Sequence, residues 1–396
     1  MSRAGSDVVV IGGGIVGTAA AAFLAEAGAS VTLIERDGLA SGASGANSGV
    51  VQHPFDPVLA ALYRETIGLY RDLSTADLGF RLGAEPSGLL YVSTDEASVL
   101  RVDRSLADTF PELTRDVVSG PALERLDPGV APGIHACRVG MGYPVYPGAS
   151  TYAYATLAER RGVQIRLGRT ARLDNRGGNV TRVVVDGEAL PCDAVLVAAG
   201  PWSPELIDPT GQWRPIRPRW GVVVEVELRD GPTHVLEGAE IKAMVDTPLA
   251  GSGTVDPDDL VDFSLVPLPG LATVGSTSLT AQPDPSAWVE RILSRATTFV
   301  PRVADAPIRG ARACARPQSA DGRPLVGRIP GRRGLFICAG HGSWGMSTGP
   351  ASARLVVDEI LGRGPGISPD LDPARFGAPP GPMTGRTSTG YCPSSG

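Results

Sequence analysis

The sequence predicts an α/β protein, α+β overall, in which a Rossmann-type nucleotide-binding domain is joined to a β-rich antiparallel domain. Three observations carry this prediction: a βαβ unit at the amino terminus, a fully apolar strand at residues 194–199, and alternating strands between residues 216 and 300. The chain has 396 residues. At roughly 150 residues per domain, this length accommodates two or three lobes with a large core.

The first predicted element is the βαβ unit. Residues Asp7–Ile11 form a short apolar run, Ile15–Ala27 an Ala-rich helix, and Val31–Glu35 a second apolar strand. The crossover rule makes these two strands parallel. The run SGASGANSG, from Ser41 to Gly49, follows the second strand directly and is too rich in Gly and Ser for regular structure. We expect it to be a ligand-binding loop.

The remaining elements follow from periodicity, length and turn residues. They are helices over Val58–Asp72, Tyr152–Arg161 and Ala351–Leu361, and strands over Gly88–Ser93, Ala171–Asp174, Val180–Asp186, Ala194–Ala199, Val222–Glu227, Phe263–Val266, Leu271–Ser276 and Leu335–Ala339. The turn sequence Arg176-Gly177-Gly178-Asn179 predicts a hairpin between two of these strands.

These elements predict two domains built from separated segments. The nucleotide-binding domain is expected over residues 1–54, 146–215 and 301–376, and the substrate domain over residues 55–145 and 216–300. The Gly- and Pro-rich tail, residues 377–396, has little to bury, so we expect it to be disordered.

Charge and composition narrow the class of ligand. The formal net charge is -6, which attracts no nucleic acid and makes a small molecule the default partner. Lys242 is the only lysine, which nearly excludes Schiff-base chemistry. The cysteines lack a CxxC pair and the histidines lack metal-ligand spacing, so we expect no metal and a reducing, cytoplasmic compartment. No apolar run reaches the ~20 residues of a membrane span, and no export signal is visible.

A dinucleotide fingerprint lies between the first strand and the first helix. Gly12, Gly14 and Gly17 have the G-x-G-x-x-G spacing, and Glu35 ends the second strand. The glycines permit a tight turn, a close approach of the backbone to a pyrophosphate, and close packing of helix and strand. An acidic Glu35 suits a ribose hydroxyl. The fingerprint alone does not separate FAD from NAD.

Five motifs together resemble a known family. They are VVVIGGGIVG with Glu35, the SGASGANSG loop, VLVAAGPWS, ARPQSADGRPLVG and AGHGSWGMSTGPASARLVVDEI. In this order they resemble the D-amino-acid oxidase superfamily of FAD enzymes, and most of all its glycine oxidase and sarcosine oxidase branch. The resemblance covers Asp7 to about Phe376. It implies an FAD-binding domain, a β-rich substrate domain, and oxidation of an amine next to a carboxylate.

The resemblance also implies which residues contact FAD. They are Gly12, Gly14, Ile15, Val16, Gly17, Glu35 and Arg36; Ser41, Ala43, Ser44, Asn47, Ser48 and Gly49; Ala171, Ala199, Gly200, Trp202 and Cys314; and Gly340, Gly342, Ser343, Trp344, Gly345, Met346, Ser347 and Thr348. The last group would wrap the pyrimidine edge of the flavin.

Arg316 matches the arginine that pairs with the substrate carboxylate in glycine oxidase-like enzymes. Cys314 stands where monomeric sarcosine oxidase has its flavin-linked cysteine, so the resemblance leaves a covalent bond to the flavin open. His341 and His53 are the candidate catalytic histidines. The implied reaction is hydride transfer to flavin N5, which gives an imine, followed by reoxidation by O2 to H2O2. Thr273 stands where sarcosine oxidase has its oxygen-activating lysine, so another electron acceptor also stays open.

Three alternatives remain at this point. The stretch GANSGVV also resembles FAD-dependent 2-hydroxy-acid dehydrogenases, in which His53 or His341 would take the hydroxyl proton. A flavin-binding subunit without activity of its own and an NAD-dependent enzyme are the other two.

Overall fold

The structure, a computed structural model, describes residues 7–174, 179–239 and 260–380. Lys242, Cys392 and the turn at residues 176–178 lie outside the described residues. The same holds for residues 381–396 of the tail that the sequence predicts to be disordered. In the described part of the tail Pro379 is buried instead, and Arg332 donates a hydrogen bond to the carbonyl of Pro380.

The described residues form nineteen strands and nine α-helices. The strands are β1 (Asp7–Ile11), β2 (Ser30–Ile34), β3 (Val50–Val51), β4 (Leu89–Ser93), β5 (Arg115–Ser119), β6 (His135–Val139), β7 (Tyr143–Pro144), β8 (Gln164–Arg166), β9 (Ala171–Leu173), β10 (Arg182–Val185), β11 (Glu188–Pro191), β12 (Ala194–Val197), β13 (Ile216–Glu227), β14 (Val235–Gly238), β15 (Val261–Leu268), β16 (Leu271–Thr277), β17 (Ile308–Ser319), β18 (Leu325–Arg328) and β19 (Leu335–Ala339). The helices are α1 (Ile15–Glu26), α2 (Ala43–Ala46), α3 (Pro57–Thr75), α4 (Glu96–Thr109), α5 (Gly120–Leu126), α6 (Ala149–Arg160), α7 (Ser203–Ile207), α8 (Val289–Thr297) and α9 (Gly345–Ile360). In this part of the chain, no helix is long and apolar enough to cross a membrane.

The first sheet has six strands in the order β18-β19-β12-β1-β2-β8, parallel except for β18. Helices α1, α6 and α9 cover one face, and the antiparallel sheet β11-β10-β9 packs on the other. Four consecutive alanines, Ala19–Ala22, are fully buried on α1. Their small side chains let α1 lie close to its neighbours, which explains why an Ala-rich helix stands at the centre of this domain.

The second sheet has eight strands in the order β17-β13-β16-β15-β14-β4-β6-β5, all antiparallel except the pair β14 and β4. Along β13, Val222 and Val224 belong to a core cluster with α8, whereas Arg219 and Val223 point to the opposite face. That opposite face meets the first domain. The predicted fold class, a Rossmann-type domain joined to a β-rich antiparallel domain, is confirmed.

The packing divides the chain differently from the boundaries expected at residues 55 and 301. Helix α3 buries Leu59, Tyr63 and Tyr70 in the core of the first domain, against α9. Strand β17 is an edge of the large sheet. Periodicity predicts that a helix has an apolar face, but which core receives that face is decided by contacts distant in sequence.

Two local predictions were wrong. The loop from Ser41 to Gly49 contains the one-turn helix α2, and the last helix begins at Gly345 rather than at Ala351. Pro350 lies inside that helix and cannot donate to the carbonyl of Met346. The hydroxyl of Tyr70 donates to this carbonyl instead, at 2.8 Å, so the helix tolerates the proline.

Candidate active site

A cavity of about 1300 Å³ lies between the carboxyl ends of β1 and β2 and the face of the large sheet that meets the first domain. Most of the site residues predicted from the sequence line it together. They are Gly12, Gly14, Ile15, Val16, Glu35, Arg36, Ser41, Ala43, Ser44, Asn47, Ser48, Ala171, Ala199, Gly200, Trp202, Cys314, Arg316, His341, Gly342, Ser343, Trp344, Gly345, Met346 and Ser347.

The other predicted residues, Gly17, Gly49, Gly340, Thr348 and His53, do not line the cavity. Gly17 packs so closely on the fingerprint turn that a Cβ would overlap the carbonyl oxygen of Gly12. Gly49 has φ +88° and lies against the carbonyl of Val145. Gly17 and Gly49 therefore allow close backbone packing behind the cavity wall.

The amino end of α1 lines the cavity and has the geometry expected of an anion site. Gly12 has φ +119°, which favours glycine, and a Cβ there would overlap the carbonyl oxygen of Ala198. Gly14 caps α1 without a side-chain hydrogen bond. The amide groups of the first turn and the helix dipole therefore face the cavity, where they favour a pyrophosphate. The hydroxyl of Ser44 lies beside these amide groups and accepts a hydrogen bond from the Ile15 amide at 2.9 Å.

Glu35 is held beside this site. Its carboxylate accepts from the Gly13 amide at 2.6 Å and from the Asp37 amide at 2.8 Å, one bond to each oxygen. Each oxygen keeps a second lone pair, which suits a ribose hydroxyl. The guanidinium of Arg36 lies 5.3 Å from the ring centroid of Trp202 at the rim of the cavity.

Helix α2 connects the two domains along the cavity wall. The side chain of Asn47 donates to the carbonyls of Ala43 and Ser44 and accepts from the Gly49 amide, which fixes the end of the helix. The guanidinium of Arg312, on β17, donates to the carbonyl of Asn47 at 2.9 Å. The loop is thus held by both domains.

His341 also lines the cavity, in the segment from Gly340 to Thr348. Its side chain is buried, and its Nε2 has no hydrogen-bond partner within the described ranges. Burial lowers the pKa of His341 to about 4, so the imidazole is neutral at pH 7. An unpartnered buried nitrogen at a cavity indicates that a ligand completes the site.

Arg316 lies on β17, opposite Arg219 of β13 in the sheet register. One nitrogen of the Arg316 guanidinium donates to the carbonyl of Thr277 at 2.9 Å. Gly221 makes room for it, because a Cβ there would overlap the guanidinium. Arg219 donates to the hydroxyl of Ser278. Burial and the positive charge of Arg316 lower the pKa of Arg219. This pair of cations favours an anionic ligand group.

Sequence reasoning missed an acidic group in the same cavity. Glu237 lines the cavity, accepts from Gln52 Nε2 at 2.9 Å and is hydrogen-bonded by Tyr91. Burial raises the pKa of Glu237 to about 7, and the nearby Asp262 adds to this rise. The available signal for a buried acid was a glutamate directly after the apolar residues Val235 and Leu236.

The structure does not bring His53 to the cavity. Its ring packs edge-on between Tyr63 and Phe110, with centroid distances of 5.2 and 4.8 Å, and desolvation by burial lowers its pKa. In this position the imidazole does not reach a ligand in the cavity.

The cavity fits FAD. Its anion cradle and acidic ribose acceptor are the groups that a dinucleotide requires, and the unpartnered His341 nitrogen is available to a bound ligand. A Rossmann-type domain whose cofactor cavity opens onto the face of a second, β-rich domain defines a dinucleotide-dependent oxidoreductase. The chain belongs to the DAO family of FAD dependent oxidoreductases, whose sequence profile matches residues 7–359.

Curated relatives and solved structures support this assignment. The glycine oxidase of Pseudomonas aeruginosa is 28% identical over 400 residues, covering 94% of this chain and 98% of that protein. A D-amino acid dehydrogenase of Cereibacter sphaeroides is 32% identical over 235 residues, covering 58% of this chain and only 50% of that protein. The crystal structure of a glycine oxidase from Bacillus cereus superposes with a TM-score of 0.76 at 25% identity, covering 90% of this chain and 95% of that one. The protein is therefore an FAD-dependent oxidoreductase, and the alternatives of an NAD enzyme and of a subunit without activity are set aside.

Cys314 leads to a first testable prediction. Its thiol is buried, with Sγ 3.9 Å from the carbonyl oxygen of Ala43, and burial raises its pKa despite the nearby Arg316 and Arg312. Because the thiolate is the nucleophile in thioether formation, a raised pKa opposes a covalent bond. We expect acid precipitation to release all the flavin into the supernatant, and Cys314→Ser to retain wild-type flavin content. Flavin that stays with the precipitated wild-type protein would contradict this.

Glu237 leads to a second prediction, on stability. The folded protein holds a proton on Glu237 that the unfolded chain releases above pH 4.5, so this contribution to stability is present below pH 4.5 and lost as the pH rises to about 7. Glu237→Gln removes the titration, and its free energy of unfolding relative to wild type should rise by up to about 3 kcal/mol over this range. Thermal unfolding of both proteins with saturating FAD at pH 5 and pH 8 measures it. A constant difference between the two proteins would show that Glu237 does not titrate in this range.

Proposed function

We propose that the protein oxidises the C–N bond of a small amino acid, or of a secondary amine that bears a carboxylate. The observation that carries this proposal is the guanidinium of Arg316, held in the cofactor cavity by Thr277 and accommodated by Gly221. A planar guanidinium can hold a carboxylate through two parallel hydrogen bonds, an interaction worth about 1.5–3 kcal/mol.

The cofactor would be held by the amide groups at the start of α1, by Glu35 and by the segment from Gly340 to Thr348. When bound, FAD supplies the redox chemistry by accepting a hydride from the carbon next to the nitrogen. The chain itself orients the substrate. Arg316 fixes the carboxylate, the neutral His341 adds no positive charge beside the reacting centre, and the buried walls exclude water. The imine product then hydrolyses to an oxo acid.

We further propose that O2 is the electron acceptor and is reduced to H2O2. The glycine oxidase of Pseudomonas aeruginosa matches 94% of this chain, and a D-amino acid dehydrogenase of Methylobacterium nodulans matches 93% at the same 28% identity, so coverage favours neither class. The support for an oxidase is the superposition on the Bacillus cereus glycine oxidase, with a TM-score of 0.76.

The test is a product balance in air. With each candidate amino acid or N-methylated amino acid, O2 consumption, H2O2, oxo acid and released ammonia or amine are measured together. Equal amounts of all four support the proposal. Turnover only with an added dye would contradict O2 as the acceptor, and oxo acid formed without release of nitrogen would contradict C–N oxidation.

A second candidate is a 2-hydroxy-acid dehydrogenase with an acceptor other than O2. Alcohol oxidation needs a base for the hydroxyl proton, and Glu237, whose pKa is raised to about 7, meets this need in the cavity. His53 lies away from the cavity, and the lowered pKa of His341 makes it a weak base. This candidate therefore predicts that Glu237→Gln abolishes the oxidation of a 2-hydroxy acid.

A further inference from the structure

Glu237 is fixed at the cavity by neutral partners. It pairs in register with Ser264 of β15 and with Tyr91 of β4, and its side chain is only 8% exposed. Gln52 and Tyr91 donate hydrogen bonds to its carboxyl group, and the nearby charge of Asp262 has the same sign. A buried carboxyl with neutral donors and a second acid beside it is costly to ionise. A cation placed against it would offset this cost.

Aromatic rings stand next to this acid. The ring of Phe55 lies 5.8 Å from the ring of Trp344 and 6.0 Å from the ring of Tyr91, measured between centroids. Phe55 and Trp344 line the same cavity as Glu237. Aromatic faces attract cations, most strongly where water is excluded. A carboxyl group and two aromatic rings that line the same cavity are thus chemically suited to an ammonium group.

Gln52 links Glu237 to the segment from Gly340 to Thr348. The backbone amide of Gln52 donates to the hydroxyl of Ser347 at 3.0 Å, and the side chain of Gln52 donates to Glu237. Glu237 is therefore connected through a single residue, Gln52, to the segment expected to hold FAD. Arg316 and Arg219 supply positive charge elsewhere in the same cavity. Asp262 lies near both Arg219 and Glu237.

We propose that Glu237, Phe55 and Trp344 form a subsite for the cationic nitrogen of the substrate, which is a zwitterion with its carboxylate on Arg316. The proposal deepens the proposed function and rests on it for the carboxylate contact. It restricts the substrate class to amines that carry a positive charge on the nitrogen when they bind. The ionised Glu237 carboxylate then accepts one proton from the ammonium group, which frees the nitrogen lone pair for imine formation.

The test uses two probes of one shape. Glycine betaine and 3,3-dimethylbutanoate share a carboxylate and a bulky terminal group, and only betaine has a positive nitrogen. Betaine lacks the nitrogen lone pair that imine formation needs, so binding is measured without turnover. Calorimetric titration of the FAD-loaded protein at pH 8 should show betaine binding ~tenfold more tightly than the analogue that lacks the positive nitrogen. Glu237→Gln should make the two affinities equal, whereas the exposed control Glu188→Gln should keep the wild-type ratio.

Glu237→Asp keeps the charge but withdraws it from the cavity, so we expect a ratio between those of wild type and Glu237→Gln. This variant also serves if Glu237→Gln does not fold. No betaine binding by wild type, equal affinities in wild type, or a preference that persists in Glu237→Gln would each overturn the subsite.

Arg316→Gln separates this proposal from the proposed function. If Arg316 holds the carboxylate, the variant weakens both probes alike and leaves their ratio unchanged. A betaine preference that depends on Glu237 while neither probe responds to Arg316→Gln would retain the subsite and overturn the role of Arg316. Weakening of both probes without any preference would retain Arg316 and overturn the subsite.

Discussion

Gly12→Ala and Gly17→Ala should each reduce the flavin content of the purified protein to about a tenth of the wild-type value or less. At Gly12 the backbone has φ +119°, and a Cβ would overlap the carbonyl oxygen of Ala198. At Gly17 a Cβ would overlap the carbonyl of Gly12 itself. Either change forces the fingerprint turn away from the end of α1, where the amide groups converge on the pyrophosphate. The ratio of visible flavin absorbance to protein absorbance measures the result.

Gly38→Ala is the matched control. Gly38 lies in the loop that follows β2, and a Cβ there would meet no heavy atom within 4 Å. This variant should keep the wild-type flavin content. Circular dichroism distinguishes a local loss of FAD from a failure to fold. Full flavin content in the folded Gly12→Ala or Gly17→Ala protein would contradict the assigned cofactor site.

Arg316→Ala should lower kcat/KM for the amino acid substrate by about tenfold to a hundredfold, from the energy of a charge-assisted hydrogen bond. The guanidinium would no longer balance the charge of the carboxylate within the cavity, so most of the loss should appear in KM. Gly221→Ala should cause a loss in the same direction, because a Cβ would displace the guanidinium. Steady-state kinetics of both variants with wild-type flavin content measure these effects.

Arg309→Ala is the control on the same strand. Its exposed side chain pairs with Glu227 at the surface, where such an ion pair contributes little. We expect kcat/KM for this variant to be unchanged. Unaltered kinetics of Arg316→Ala on the true substrate would overturn the assignment of Arg316.

Local sequence signals predicted the elements that build the cofactor domain. The βαβ unit could be predicted because its apolar runs, glycine spacing and final acid occur within about thirty residues, in the order that the chemistry of a pyrophosphate site requires. The start of α9 could not, because Gly345 and Pro350 disfavour a helix locally. It is stabilised by Tyr70, which lies 276 residues from its hydrogen-bond partner Met346.

The substrate side of the cavity was only partly predictable. Arg316 was found through resemblance, but Glu237 meets Gln52 from 185 residues away, and no local pattern encodes that contact. His53 was placed in the site from its position after the loop at Ser41 to Gly49. In the structure the His53 ring packs between the rings of Tyr63 and Phe110 and does not line the cavity. Whether such a side chain reaches the cavity depends on packing between elements that are distant in sequence, and sequence spacing does not reveal that packing.

The most direct test of the proposed function is anaerobic bleaching of the visible flavin band of the purified protein. The panel comprises glycine, N-methylated glycines, cyclic imino acids, D- and L-amino acids and 2-hydroxy acids, and air is admitted afterwards. We predict that an amine with a carboxylate bleaches the band and that air restores it with formation of peroxide. Bleaching by a 2-hydroxy acid alone, with slow recovery in air, would contradict the proposed function.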